Sequence, residues 1–264
     1  MYFGNHKPVK MTKPSAQQES SFSKQQKKYI CINCGHPIAE LYRKYTNTAI
    51  KTSHCEKCHK VADKYIEFDP IIILVDAMLL SQESYRHMLH NRNFKLNWKL
   101  SLVLLLLESF ALWRQKGIVV SSQKDVLQHE IISEKGFYIC CLQNMIDYVI
   151  ITLILLIVAC VQRPALISCT GINKFAVILL KAITIANLSK MFLLPLIVWR
   201  ENTTDLGANI HQLLVLGHHL LALVYIYAIV GSFKKLQAFL IILPAFVVKE
   251  YIKSNISVYL EYYF

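Results

Sequence analysis

Long apolar segments alternate with short polar ones from about residue 96 onwards. Five apolar stretches lie at 96–113, 138–162, 174–199, 210–231 and 236–252. A helix rises about 1.5 Å per residue, so about twenty apolar residues cross the roughly 30 Å hydrocarbon core of a bilayer. Pro244 interrupts the last stretch, and Lys249-Glu250 is expected to end it early. The pattern predicts an α-helical membrane domain over 93–264 with four spans, and the fifth segment remains an open alternative.

The segment at 70–92 differs from these stretches. Asp69-Pro70 precedes an apolar run from Ile71 to Leu80, which Asp76 interrupts. A run of about ten to fourteen apolar residues is too short to cross a bilayer. The pattern therefore predicts an amphipathic helix that lies at the membrane interface or packs against the spans.

Two Cys-x-x-Cys pairs precede this helix. They are Cys31 with Cys34 and Cys55 with Cys58. Four thiolates at this separation can occupy the corners of one tetrahedron, as in a structural zinc site. Residues 37–45 and 49–53 predict two strands joined by a turn at 46–48, which would bring the second pair to the first. We therefore predict a small β zinc ribbon over 29–69, in which Zn²⁺ is a structural cofactor that supplies much of the folding free energy.

The surroundings of the cysteines leave other interpretations open. Gly35 can take the left-handed backbone conformation that tightens a metal-binding turn. His36, His54 and His59 each neighbour a cysteine and are alternative ligands, although surface positions are the simpler interpretation. A four-thiolate site has no open coordination position, so the zinc is expected to be structural rather than catalytic. A redox role for either pair is the remaining alternative.

The first 28 residues have few apolar side chains and are rich in Lys, Gln and Ser. Such a segment buries too little apolar surface to offset its ordering entropy, which predicts a disordered basic tail. It also lacks the apolar core of a cleavable signal peptide. Membrane insertion is therefore expected to depend on a later segment.

Composition supports a membrane protein and bears on its orientation. Hydrophobic residues make up 54% of the 264 residues, charged residues only 17%, and the net charge is +12. The basic residues crowd the first hundred positions, which favours an anionic membrane surface over nucleic acid as the partner. Metal-binding thiols must stay reduced, so the zinc domain is predicted to face the cytosol.

This orientation assigns a side to each loop. The loops at 163–173 and 232–235 would face the cytosol, and the loop at 200–209 would face the lumen. The loop at 114–137 carries Lys and Arg residues that oppose this orientation. Asn202-Thr-Thr204 matches the acceptor pattern for glycosylation, but it lies so close to the membrane that occupancy is not expected.

Four charged residues fall inside the apolar stretches. They are Glu108, Asp147, Lys181 and Lys190. A charge at a lipid-facing helix centre costs about 2.5–3.5 kcal/mol, so these groups should face the interior of the bundle and pair. An ion pair such as Glu108 or Asp147 with Lys181 is the simpler prediction, and a polar site for a lipid headgroup is the alternative. Lys181 and Lys190 should point to different faces of a helix because they are nine residues apart.

His218-His219 lies within an apolar stretch. An intramembrane histidine can act as a general base, which raises acyl transfer as a function. No Ser, Asp or Asn beside this pair completes such a site in sequence, and adjacent helical side chains point about 100° apart. We predict a packing role for these histidines and no enzymatic activity.

The cysteine pairs and the residues after them resemble a known family. Asp63-Lys-Tyr-Ile-Glu-Phe-Asp-Pro-Ile-Ile-Ile-Leu74 and Tyr85-Arg-His87 follow the second pair. Together with the cysteines, they resemble the homology domain of the Arv family, sterol-homeostasis proteins of the endoplasmic reticulum. A second set of residues resembles the family's membrane region. It comprises Arg163-Pro164, Leu179-Leu-Lys181-Ala182 and Ser189-Lys190, with Pro195 and Trp199.

This resemblance implies a function and a location. It implies a multi-pass protein of the endoplasmic reticulum membrane, with the Golgi as a further location, and zinc ligands at the four cysteines. Its implied roles are intracellular sterol transport and distribution, sphingolipid metabolism, and glycosylphosphatidylinositol-anchor synthesis. The implied ligands are a sterol, a sphingolipid or a glycosylphosphatidylinositol intermediate. A noncatalytic scaffold subunit of a lipid-modifying enzyme complex is the alternative, and a membrane acyltransferase is a third.

Overall fold

The computed structural model describes residues 29–44, 50–92, 97–121, 134–162, 171–199 and 204–263. These residues form two compact units, which divide between Asp63 and Lys64. The predicted disordered tail at 1–28, the predicted turn at 46–48, Arg163-Pro164 and Asn202 lie outside the described residues.

The first unit contains two short antiparallel strand pairs. They are β1 (Tyr29–Ile30) with β2 (Pro37–Ile38), and β3 (Tyr42–Lys44) with β4 (Ile50–Thr52). In the second pair Tyr42 lies opposite Thr52 and Lys44 opposite Ile50, so the hairpin predicted from sequence is present with shorter strands. Ile38 pairs with Tyr29 instead of continuing into β3. Its strand is separate because the first cysteine pair forms a turn that folds the chain back onto β1.

The core of this unit is small. Cys31, Ile32, Cys55 and Ala62 are all almost completely buried. Ile32 N–H donates to the Ala62 carbonyl at 3.0 Å, and Ala62 N–H donates to the Ser53 carbonyl at 2.8 Å, so the segment after the second pair joins the two halves. A domain of about forty residues or fewer usually needs a metal or disulfide in addition to its apolar core.

The second unit is helical. Its helices are α1 (Pro70–Met78), α2 (Gln82–Arg86), α3 (Asn97–Ser121), α4 (Glu134–Gln162), α5 (Ile172–Ala186), α6 (Leu193–Trp199), α7 (Asp205–Gly231) and α8 (Lys235–Tyr263). A π-helical turn, His87–Asn91, follows α2, and a 3-10 segment, Asn187–Phe192, joins α5 to α6. Helix α4 packs against α3, α5 and α8, and α7 packs against α5 and α8.

Three helical stretches within the described residues are long and apolar enough to cross a membrane. They are Glu134–Gln162, Ile172–Pro195 and Leu206–Gly231. Large apolar side chains such as Leu153, Ile157 and Leu214 are exposed on them, as expected of surfaces that face lipid. Helices α3 and α8 have comparable lengths but carry more charged residues. A fourth or fifth span therefore stays a prediction.

Helix α8 does not end where the sequence predicts. It continues through Pro244 and Lys249-Glu250 to Tyr263. Membrane helices tolerate proline because neighbouring groups satisfy the backbone carbonyls that it frees. The charge of Lys249 does not end the helix either, because its ammonium group lies 3.0 Å from the Asp147 carboxylate of α4.

Helix α1 packs against the apolar helices. His218 Nε2 of α7 donates a hydrogen bond to the Met78 carbonyl at the end of α1, with 2.8 Å between the atoms. Ile73 is buried, whereas Ile71 and Leu79 are exposed. This short helix therefore joins the helical bundle and keeps a second apolar face on the surface.

Candidate metal centre and polar cavity

The four cysteines lie close enough together to hold one metal ion. Their sulfur atoms all lie within 4.8 Å of one another. The Sγ atoms of Cys31 and Cys58 are 3.8 Å apart, and those of Cys34 and Cys55 are 3.6 Å apart. A tetrahedral zinc ion with Zn–S bonds of about 2.3 Å requires sulfur atoms about 3.8 Å apart. The donor set therefore fits Zn²⁺, and its four thiolates would leave the ion no open position.

The two cysteine turns repeat one backbone arrangement. Gly35 N–H donates to the Cys31 carbonyl, and His59 N–H donates to the Cys55 carbonyl, each at 2.9 Å. Gly35 has the positive φ of 75° that the sequence predicts, and His59 has a φ of 57° at the equivalent position. The sequence did not predict this second left-handed residue, because the position is a glycine in one turn and a histidine in the other.

The surroundings of Cys34 and Cys55 shift the pKa values of these two thiols in opposite directions. Burial, assisted by the neighbouring thiols, raises the pKa of Cys34 to about 12. Burial also acts to raise the pKa of Cys55, but hydrogen bonds from the backbone N–H groups of Cys58 and Lys57 and from the thiols of Cys34 and Cys31 together outweigh it and lower the pKa to about 7. A divalent cation at the centre would stabilise all four thiolates.

In the helical unit, two ion pairs connect helices that are distant in sequence. Lys190 of the 3-10 segment pairs with Glu108 of α3. Asp147 of α4 lies 3.0 Å from the Lys249 ammonium and 3.1 Å from that of Lys253, both on α8. Asp147 is 6% exposed and Lys249 8% exposed. Asp147 is buried and Glu108 is half-buried, and both pair with lysines other than the suggested Lys181.

Lys181 lies in different surroundings from Lys190. It is half-buried on α5. Burial lowers the pKa of His90, and the positive charges of Lys181 and Arg86 lower it further. Lys181 therefore lies towards the π-helical turn, while Lys190 lies beside α3, as the nine-residue separation predicts.

His219 contacts a serine that sequence proximity did not reveal. Its Nδ1 lies 3.0 Å from Ser189 Oγ and 3.3 Å from the Ala186 carbonyl. Ser189 is 1% exposed, and its hydroxyl donates to the same carbonyl at 3.0 Å. Because this hydroxyl is buried and already donates, the pair has the geometry of a packing contact between α7 and the 3-10 segment.

A cavity of about 390 Å³ lies beside the first ion pair. Its lining comes from α3, the 3-10 segment, α6, α7 and α8: Glu108, Ala111, Leu112, Gln115, Lys190, Leu193, Asn209, Gln212, Leu213, Val215, Leu216, His219, Lys249, Glu250 and Lys253. Gln115 Nε2 donates to Gln212 Oε1 at 3.2 Å, which links α3 to α7. The wall is therefore charged on α8 and mixes polar and apolar side chains on α3 and α7. Of the four residues of the alternative polar site, Glu108 and Lys190 line this cavity, whereas Asp147 and Lys181 do not. The sequence did not indicate the residues that α8 contributes.

These features define a class of protein. Three helices suited to cross a membrane and a cavity among the helices characterise a multi-pass membrane protein, and its small four-cysteine unit has the geometry to hold a metal ion. The model of the Arv1-like family matches residues 30–223, and the chain belongs to that family.

Individual relatives agree with this assignment. The chain is 32% identical to Protein ARV1 of Mus musculus over 192 residues, which cover 71% of this chain and 70% of the relative. It is 31% identical to Protein ARV1 of Homo sapiens over 195 residues, which cover 71% and 68%. It is 46% identical to Protein ARV1 of Candida albicans over 63 residues, which cover 24% and 21%. The comparison with solved structures found no match.

Proposed function

We propose that this protein mediates or regulates intracellular sterol transport and distribution in the endoplasmic reticulum membrane. Membership of the Arv1-like family supports a role in sterol and lipid homeostasis. The observation that carries the proposal further is the 390 Å³ cavity, which combines charged, amide and leucine side chains within the helical unit. Ligand pockets of this kind typically have volumes of about 300–1,000 Å³.

The proposal assigns separate tasks to the two units. The four-cysteine unit holds structural zinc on the cytosolic side, and the helical unit binds the lipid. Roles in sphingolipid metabolism and glycosylphosphatidylinositol-anchor synthesis are part of this proposal, as is a further location in the Golgi. They would follow from handling several amphipathic lipids in one membrane.

The proposal can be tested with two photoreactive lipids in parallel. A photoreactive sterol and a photoreactive glycosylphosphatidylinositol precursor are crosslinked to the purified full chain, with unlabelled lipid as competitor. Saturable crosslinking that maps to α3, α7 or α8 is expected. Crosslinking that does not saturate, or that labels every apolar helix equally, would contradict direct lipid binding.

A second candidate function is a noncatalytic scaffold of a lipid-modifying enzyme complex. The observation that favours it is the closed donor set of the four cysteines, which suits a rigid docking platform and offers no catalytic position. A chelator that released an enzyme partner, in a protein without saturable lipid binding, would support the scaffold. Acyl transfer is the third candidate, and full activity of a His219→Ala variant in cells would remove its main basis.

A further inference from the structure

We propose that the cavity binds the zwitterionic headgroup of a phospholipid. In this assignment Lys253 and Lys249 of α8 hold the phosphate, and Glu250 holds the amine. The inference rests on the proposed function in one respect, because it requires that the cavity accepts a lipid. It goes beyond that function in naming a headgroup chemistry and the residues that recognise it.

The first argument is the arrangement of charges on α8. Lys249, Glu250 and Lys253 all line the cavity. Residues three and four positions apart are neighbours on a helix surface, so Lys253 lies beside both of the others. Positive and negative groups therefore alternate over a few ångströms on one wall, as the phosphate and amine of a zwitterionic headgroup also do.

The second argument is the hydrogen-bonding capacity of these groups. Lys249 and Lys253 both approach one oxygen of Asp147, Oδ2, at 3.0 and 3.1 Å. Each ammonium has three N–H donors, so two lysines sharing one carboxylate oxygen can also donate to a phosphate. Glu250 accepts from Lys249 through Oε1 at 2.8 Å, and its side chain is 40% exposed. A carboxylate has about four acceptor sites, so Glu250 can also accept from an ammonium group.

The third argument is the balance of charge. Lys190, Lys249 and Lys253 are matched by Glu108, Asp147 and Glu250 in the ion pairs of this cluster. A ligand with net charge would leave an uncompensated charge in a weakly solvated site, which is costly. A zwitterion adds equal charges of both signs and keeps the balance. This favours zwitterionic over anionic phospholipids.

The fourth argument is access from the bilayer. Leu213 and Leu216 line the cavity, yet 67% and 42% of their surfaces are exposed on the apolar helix α7. The cavity wall thus continues into a surface suited to face lipid. A headgroup can enter sideways while its acyl chains remain in the hydrocarbon region. A soluble ligand would not need such an apolar side.

The polar lining also distinguishes this headgroup from a sterol. A sterol has one hydroxyl group and an apolar ring system. In this cavity a sterol hydroxyl could satisfy few of the polar groups of Gln115, Asn209 and Gln212, and the rings would have to lie against the leucines of α7 instead. Polar groups that lose water without gaining hydrogen bonds are costly to bury. A phosphate, an ester-linked glycerol and an amine can satisfy many more of them.

The experiment is a competition series on the purified full chain. A photoreactive phosphatidylethanolamine is crosslinked in the presence of unlabelled phosphatidylethanolamine, phosphatidylcholine, phosphatidylglycerol or sterol. The two zwitterionic lipids are expected to compete. Phosphatidylglycerol is expected to compete about tenfold less well, because its headgroup has no amine for Glu250 and the loss of one charged hydrogen bond corresponds to about this factor. This series needs no variant, so its result does not depend on whether a substituted protein folds.

Two variants locate the site. Lys253→Gln is expected to weaken phosphatidylethanolamine crosslinking about tenfold through loss of one charged hydrogen bond. Asp147 retains Lys249 in that variant. Lys234→Gln is the matched control. Lys234 is exposed in the connection between the last residue of α7 and the first residue of α8, and it does not line the cavity. The control is expected to leave crosslinking unchanged.

Different failures have different meanings. Equal or stronger competition by phosphatidylglycerol would overturn the zwitterionic assignment, and an unaffected, well-folded Lys253→Gln variant would overturn the site. Competition by sterol alone would overturn this inference and leave the proposed function standing. If the phosphatidylethanolamine and sterol probes both crosslink without saturation, the proposed function fails with it.

Discussion

At the residue scale, two positions define the four-cysteine unit beyond the cysteines themselves. Gly35 and His59 both adopt positive φ and both donate to the carbonyl of the cysteine four residues earlier. A left-handed conformation costs a residue with a side chain about 1–2 kcal/mol more than glycine. His59 therefore adopts a strained conformation that keeps the second turn equivalent to the first.

The first prediction concerns the metal ligands. Cys34→Ser is expected to abolish stoichiometric zinc and to make residues 29–63 protease-sensitive, because the metal supplies much of the folding free energy of so small a unit. Elemental analysis and limited proteolysis of the purified chain measure the two effects. Cys160→Ser is the control, since Cys160 is an exposed residue of α4 outside the cluster.

One further variant separates a ligand from a backbone role. His59→Gly is expected to retain zinc, because glycine adopts the same positive φ without strain. Loss of zinc in this variant would make His59 a ligand and contradict the four-thiolate assignment. Retention of zinc by Cys34→Ser would contradict it as well.

At the element scale, buried charges hold helices together. Asp147 of α4 engages two lysines of α8, and Glu108 of α3 engages Lys190 of the 3-10 segment. Each contact joins elements separated by many residues in sequence. Apolar side chains distinguish poorly between a neighbouring helix and lipid, so such polar contacts specify which helices become neighbours.

The second prediction tests the contact between α4 and α8. Asp147→Asn is expected to lower the free energy of unfolding by about 3–5 kcal/mol, because it leaves two buried or half-buried lysines without their carboxylate. Thermal or denaturant unfolding of the purified chain measures the change. Glu83→Gln is the control within the same unit, since its ion pair with Lys64 is solvent-exposed and such pairs contribute about 1 kcal/mol or less.

A compensating variant makes this test specific. Adding Lys253→Met to Asp147→Asn removes an ammonium group that has lost this carboxylate, whereas Lys249 keeps its contact with Glu250, so the double variant should recover part of the lost stability. Equal stability of Asp147→Asn and the wild type, or no recovery in the double variant, would count against the ion pair as the link between these helices.

At the scale of the whole molecule, the length of α7 suits its two ends to opposite sides of a membrane. Helix α7 has 27 residues, which correspond to about 40 Å at 1.5 Å per residue. Thr204 precedes its first residue, and Ser232 follows its last. These two residues therefore lie at opposite ends of a helix long enough to cross the bilayer.

The third prediction concerns orientation. In sealed microsomes, a membrane-impermeant maleimide should label a Ser232→Cys variant from outside and should label a Thr204→Cys variant only after permeabilisation. The background chain has serine in place of its cysteines outside the metal cluster. The expected sides follow from two predictions, that the reduced thiols of the first unit face the cytosol and that four helices cross the membrane before Ser232. Labelling of both variants from one side would show that α7 does not cross, and the reverse pattern would contradict the predicted orientation of α7.

The sequence predicted the local features of this protein well. The left-handed Gly35, the strands before the second cysteine pair and the burial of Asp147 all follow from properties of single residues or short segments. The sequence-based predictions were wrong where the structure depended on contacts between different helices. Pro244 and Lys249 were expected to interrupt a helix, yet α8 continues because Asp147 of α4 lies within reach of Lys249.

The amino-acid sequence by itself determined the two Cys-x-x-Cys pairs, the apolar helices and the resemblance that leads to the Arv1-like family. Each depends on spacing along the chain, which is set by helix rise, turn geometry and covalent connectivity. Only the tertiary structure decided which lysines pair with Glu108 and Asp147, that Ser189 contacts His219, and that α3, α7 and α8 enclose a cavity. Those contacts join residues that are distant in sequence, and spacing cannot specify them because many helix arrangements bury the same apolar surface.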